Sequence, residues 1–169
     1  MSKKIPVQMS NLIRNHPTSD SINATHNKMI QKLAKRIRRE VETCAIRLSY
    51  ALNETNQQIL NAEKYIDKRR IGSKTGAVRT ITDSLGKSYI YSTYDFAAYL
   101  DQKYFKLTRY RGTTRQIKSK LNGKNGIIGF GYRHVDLWQQ DRWHYQNRYY
   151  DLWECASAKQ SGILFWETL

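Results

Sequence analysis

The sequence predicts an α+β fold in which early helices pack on a mainly antiparallel sheet formed by the C-terminal half. Three observations predict it. Apolar residues recur at spacings of three and four between His26 and Leu52, runs rich in strand formers appear between Gly126 and Trp166, and the helical patterns precede the strand patterns instead of alternating with them. With 169 residues the chain is expected to form a single domain, 1–169, with ample length to bury a core. Residues 1–22, polar and without periodicity, can be loosely held.

From His26 to Val41 the positions Met29, Ile30, Leu33, Ala34, Ile37 and Val41 form the stripe of an amphipathic helix, with Lys32, Lys35, Arg36, Arg38 and Arg39 on its solvated side. A second helix is expected after Thr43, which stands at an N-cap position. There Ala45, Leu48, Ser49 and Leu52 share a side and the neighbours are small or apolar, so most of its circumference should be buried. Residues 67–88, rich in Gly, Ser, Thr and charge, read as a long connection with one short strand at Ala77–Ile81. Ser88–Tyr91 is strand-like, and Ser92 or Thr93 can cap a helix that puts Phe96, Tyr99, Leu100 and Lys103 together. A basic connection runs through Arg115 and Lys120. Three runs then read as strands: Gly126–Phe130, His134–Trp138 and Gly162–Trp166.

Composition narrows the function classes. There are 29 Lys+Arg against 14 Asp+Glu, a formal charge of +15, spread along the chain and not gathered in one arm. Such a surface attracts nucleic acid, an acidic membrane or the bacterial wall. A content of 40% hydrophobic and 12% aromatic residues separates the chain from disordered polycations. No apolar run approaches the roughly 20 residues of a membrane span, and no secretory signal pattern is visible at the start. Two cysteines, Cys44 and Cys155, match no zinc-ligand spacing, so neither a metal nor another cofactor is expected.

Cys44 falls in the first turn of the second helix, where unpaired backbone N–H groups favour an anion and hence a thiolate nucleophile. A small buried hydrophobe is the plain alternative. A base is needed, and His134 in GFGYRHVDLW begins a strand after a glycine-rich turn, with Asp136 and Trp138 on its face and Val135 and Leu137 on the other. His16, His26 and His144 read as structural or exposed. Trp138, Trp143, Tyr145, Tyr149, Tyr150 and Trp153 read either as core or as a groove for sugar and peptide.

An early helical Cys with a late strand His is the order of papain-like cysteine hydrolases. The segments TCAIRLSYALN, YIYSTYDFAAYLDQKY, GKNGIIGFGYRHVDLW and ILFWETL make the chain resemble, from about residue 40 to 169, the type VI secretion amidase effectors of the fourth family, relatives of the NlpC-type papain-like peptidases. The resemblance implies the papain-like fold and a D,L-endopeptidase that cuts the D-glutamate to meso-diaminopimelate bond of peptidoglycan stem peptides. It also implies delivery by type VI secretion into the periplasm of a neighbouring bacterium, and a cognate immunity protein. Cys44 matches the family nucleophile and His134 the base. The family's third residue is an Asp downstream of the His, where this chain departs from the pattern. Asp136, Asp141 and Asp151 compete, with Asp151 preferred as the carboxylate that orients the imidazole. With no second cysteine beside it, Cys155 is expected to be free and partly buried. The chief rival reading, a nucleic-acid-binding module, rests on charge and tyrosines alone.

Overall fold

The computed structural model describes residues 4–17, 23–36, 43–67, 76–104, 107–143 and 152–169. Helices α1 (Met9–Asn15), α2 (Asn23–Arg36) and α3 (Thr43–Asn53) come first. A short 3-10 turn at Ala62–Lys64 leads into two small antiparallel ribbons: β1 (Ile66–Asp67) with β2 (Gly76–Ala77), and β3 (Thr80–Thr82) with β4 (Ser88–Ile90). The strand expected at Ala77–Ile81 is therefore divided between two ribbons. Helix α4 (Thr93–Tyr104), β5 (Thr108–Tyr110) and α5 (Thr114–Leu121) follow, then β6 (Lys124–Phe130), β7 (His134–Gln140), β8 (Arg142–Trp143), α6 (Ala156–Ser161) and β9 (Ile163–Glu167). The main sheet has five strands in the order β5–β9–β6–β7–β8, every neighbour antiparallel. The α+β expectation holds.

Both faces of this sheet are buried, which explains why its central strands read as nearly unbroken apolar runs. Ile127, Val135, Leu137, Leu164 and Trp166 join one core cluster with Leu48 and Leu52 of α3 and with Phe96 and Leu100 of α4. Their alternates Ile128, Phe130, Trp138, Ile163 and Phe165 join another with Ile117 and Leu121 of α5 and with Trp153. Period-two alternation sends successive side chains to opposite layers. Outside α3, Ile30 and Leu33 of α2 pack on Ile46 and Tyr50. Lys28, Lys32, Lys35 and Arg36 are exposed, as the amphipathic stripe requires; Ile37, Arg38, Arg39 and Val41 lie outside the described residues.

The N-terminal segment is not loosely held over residues 4–17. Ile5 donates its N–H to the Glu167 carbonyl at 2.7 Å, Leu169 donates to Val7 at 3.1 Å, and Lys4 pairs with Glu167 at 2.8 Å. Ile5, Val7, Met9 and Leu12 are buried in the first cluster, and α1 packs on α3 and β7. These four apolar residues show no helical or strand period in sequence because an extended strap and a two-turn helix share them.

Gly126 is where β6 and β9 approach too closely for a side chain. A Cβ there would stand 2.5 Å from the Phe165 ring and against the Trp166 carbonyl. Gly126→Ala is expected to force the two strands apart, at a cost of about 1–3 kcal/mol for overpacking. Thermal unfolding should show Tm lowered by about 2–4 °C per kcal/mol in a chain of this size. An unchanged Tm would mean the strands separate without strain.

Candidate active site

Helix α3 is fastened to the ribbon beneath it by its own polar side chains. The Ser49 hydroxyl accepts the Ile90 N–H at 3.0 Å and donates to the Ile90 carbonyl at 3.3 Å. The Asn53 amide donates to the Ser88 carbonyl at 2.9 Å and accepts the Ile59 N–H at 2.7 Å. Buried polar groups satisfied in this way fix register as well as position. The first turn of α3, with Thr43 and Cys44, is thereby held against β7.

The turn that delivers His134 is fastened independently. The Thr93 hydroxyl, at the start of α4, donates to the Tyr132 carbonyl. The Tyr132 ring stacks on Tyr94 at 4.7 Å, and its hydroxyl accepts from Arg109 Nη2 at 3.2 Å. Gly131 takes a φ of 57°, in the left-handed region that favours glycine, and donates to the Gly162 carbonyl at 3.0 Å. His134 then opens β7 opposite Phe130, whose ring centre is 6.3 Å from the imidazole.

These two elements bring Cys44 and His134 to one cavity of about 190 Å³, lined also by Thr43, Val135, Asp136, His16 and Arg47. Cys44 is buried and free, and its sulfur interacts with the imidazole. Asp136 is 1% exposed; its Oδ1 accepts the Leu137 N–H at 2.7 Å and its Oδ2 lies 3.8 Å from His134 Nε2. That separation is too long for a hydrogen bond but short for an ion pair, so Asp136 acts on the ring through charge. Nε2 itself is buried without a hydrogen-bond partner among the described residues. Burial opposes protonation of the imidazole, but Asp136 and then the Cys44 sulfur outweigh it and push the His134 pKa up to about 10. An imidazolium is the stable form of this site at neutral pH, and it can balance one thiolate.

Of the three aspartates weighed from the sequence, Asp136 reaches the ring's vicinity, on the face of β7 that alternation gives it. Asp141 does not: it is exposed in the β7–β8 turn, seven residues along from His134, and a strand rises roughly 3.3 Å per residue. Asp151 lies outside the described residues, as do His144, Tyr145, Tyr149 and Tyr150. Trp138 is core, packed edge-to-face on Trp153 at 5.9 Å. Cys155 is free and half-buried, its sulfur accepting the Ala158 N–H at the start of α6 at 3.4 Å.

Two lining residues escaped the sequence reading. Arg47 stands three positions after Cys44 on α3, a spacing that places both on one helix face and was available in the sequence. His16 is 3% exposed at the end of α1 and left no local signal. Among the described residues no group of three or more His, Cys, Asp or Glu side chains is arranged to hold a metal ion, and no helix is long and apolar enough to cross a membrane.

Over residues 41–166 the chain matches the family model described as Tae4, type VI secretion system (T6SS) amidase effector protein 4. Among solved structures it resembles the type VI effector Tae4 of Enterobacter cloacae, at 20% identity over 100% of both chains and a TM-score of 0.61. It also resembles the Tae4–Tai4 effector-immunity complex of that species, at 18% identity over 98% of this chain and 100% of that one, with a TM-score of 0.62. Tae4 of Salmonella typhimurium bound to the immunity protein Tai4 from Enterobacter cloacae is similar at 20% identity over 96% and 99% of the two chains, with a TM-score of 0.61. At these identities the structures establish a shared fold, and no curated protein sequence is significantly similar to the chain. The family match spans well over half of the chain, and the protein therefore belongs to the Tae4 family of type VI secretion amidase effectors, enzymes that hydrolyse peptidoglycan.

Proposed function

We propose that this amidase is a cysteine D,L-endopeptidase that cuts the bond between D-glutamate and meso-diaminopimelate in peptidoglycan stem peptides, with Cys44 as nucleophile and His134 as general base. The observation that carries the reading is the meeting of Cys44 and His134 at one small cavity, on two elements anchored separately. In this mechanism the Cys44 proton passes to His134, the thiolate attacks the amide carbonyl, and His134 returns the proton to the leaving amine; water then releases the acyl group by the reverse transfers. The Cys44 backbone N–H, in the first turn of α3, is the proposed donor to the tetrahedral oxyanion.

Asp151 is the proposed orienting carboxylate. Its support is His134 Nε2, which is buried and lacks an acceptor among the described residues, where a triad needs one to hold the ring. Asp136 supplies charge beside it. Arg47 puts a further cation in the cavity, which suits a substrate whose scissile amide is flanked by carboxylates. The protein is proposed to act in the periplasm of the target cell after type VI delivery. The immunity protein Tai4 named in complexes of the similar effectors is the model for a cognate partner that blocks this cavity.

Mass spectrometry of the soluble products from Gram-negative sacculi tests the bond assignment. Fragments ending in D-glutamate, with matching new amino groups on diaminopimelate, are expected. Release of whole stem peptides, cut at the muramyl link, would overturn it.

A further inference from the structure

A second and larger cavity shares no lining residue with the Cys44 site, and the proposed chemistry does not use it. It measures about 540 Å³ and opens between the β5–α5 connection, α5 and the start of α6. Its floor is apolar: Ile117, Ile163 and Trp153, all members of the second core cluster. Its rim is cationic, with Arg111, Arg115 and Lys159. Among the described residues Glu154 is the one lining carboxylate, and it is already engaged, accepting from the Thr114 hydroxyl at 3.0 Å and pairing with Lys159 at 3.2 Å. Arg111 and Arg115 are exposed and make neither an ion pair nor a hydrogen bond among the described residues. The Lys118 ammonium, 5.3 Å from the centre of the Trp153 ring, adds to the same positive field.

The rim is built rather than loose. Thr113 and Gln116 close a reciprocal capping box on α5. Gly112, at a φ of 134°, sits where a Cβ would stand 2.7 Å from the Gln116 side-chain oxygen, and Gly162, at a φ of 77°, where a Cβ would stand 2.8 Å from the Tyr110 carbonyl. A preformed hollow with a flat apolar floor and two unengaged guanidinium groups fits a ligand that carries carboxylates on a partly apolar body.

We propose that this cavity is an anchoring site for the carboxylate-bearing stem peptides of polymeric peptidoglycan, separate from the stem being cut. The proposal rests on the substrate reading above. β5 is three strands away from β7 in the sheet, roughly 14 Å at the usual strand spacing, and Tyr110 and Ile163 of the cavity stand in one cross-strand row with Phe130 and His134. A polymer bearing many stems can fill both sites at once, and tethering at one site raises the effective concentration at the other.

The test uses the full chain with Arg111 and Arg115 both changed to Gln. Binding to intact sacculi is measured by co-sedimentation in the Cys44→Ala background, so that it does not depend on hydrolysis. Sacculus affinity is expected to fall about ten-fold or more on losing the tether, while kcat/KM on a soluble monomeric stem peptide stays within about two-fold of wild type, since neither arginine lines the Cys44 cavity. Sacculus affinity unchanged by the double substitution overturns the proposal. So does a selective loss of affinity for duplex DNA with sacculus binding intact, which would make the cavity a phosphate site. Failure of the wild-type chain to cut the soluble peptide would count against the substrate reading, and the binding comparison would still decide the anchor.

Discussion

Cys44→Ala is expected to leave the protein folded and to lower kcat for peptidoglycan hydrolysis by a factor of about 10⁴–10⁶, the range seen when a hydrolase loses its nucleophile. The stability side of this expectation follows from size and place. Cys44 is at the margin of the first core cluster, 9% exposed, and truncation removes one sulfur from a cavity wall, so no large void opens. The activity side follows from mechanism. Without the sulfur, His134 has water alone to activate, and a loss of 10⁴ corresponds to about 5.5 kcal/mol of barrier. Cys44→Ser should be nearly as inactive, because a hydroxyl is far harder to ionise than a thiol. Steady-state rates on sacculi, with circular dichroism as the check on folding, decide the matter, and more than a hundredth of wild-type activity in Cys44→Ala would remove Cys44 from the proposed role. Alkylation with iodoacetamide offers an independent view: inactivation should track modification of Cys44, not of Cys155, whose sulfur is engaged with the Ala158 N–H at the start of α6.

Much of this architecture was legible in the sequence, and the failures have physical causes. The strands around Ile127, Leu137 and Leu164 announced themselves because burial on both faces concentrates large apolar residues in short runs. Helix α3 was equally plain, since it is enclosed by α1, α2, α4 and the sheet. Helix α5 reads as a connection in the sequence because it buries only Ile117 and Leu121, too few for a visible stripe, although the Thr113-Gln116 capping box stands there as its start signal. The N-terminal strap was missed for a related reason. Its order comes from backbone bonds to Glu167 and Leu169 and from a bridge between Ile5 and Thr168, and such long-range pairing leaves no local period. Cys44 and His134 could be named from residue type and element position, whereas His16 reaches the cavity only through that strap. Alternation puts Asp136 on the His134 side of the strand, but it does not fix the distance to a ring nitrogen.

The electrostatics of His134 supply the second large expected effect. His134→Ala should lower kcat/KM by about 10²–10⁴, the contribution of a positioned general base. The wild-type profile should retain activity through neutral pH and fall on an alkaline limb near pH 10, where the imidazolium that balances the thiolate is lost. The sign follows from linkage. The folded-state pKa of His134 is raised from the ordinary 6.5 to about 10, so the stability gained by holding this proton is fully present below about pH 6.5 and is lost as pH rises through 10. Tm should accordingly fall more steeply between pH 7 and 10 in wild type than in His134→Ala. Asp136→Asn removes one of the two anions that hold the proton, while burial, which opposes it, remains, so the alkaline limb should move to lower pH without abolition of activity. Asp151→Asn should behave differently if that residue accepts the Nε2 proton: the ring loses its orientation, and kcat should fall across the whole pH range. NMR titration of His134 separates the two effects. A pKa unchanged by Asp136→Asn would mean that the carboxylate 3.8 Å away is not what holds the proton, and the charge balance of the site would have to be assigned to the thiolate alone.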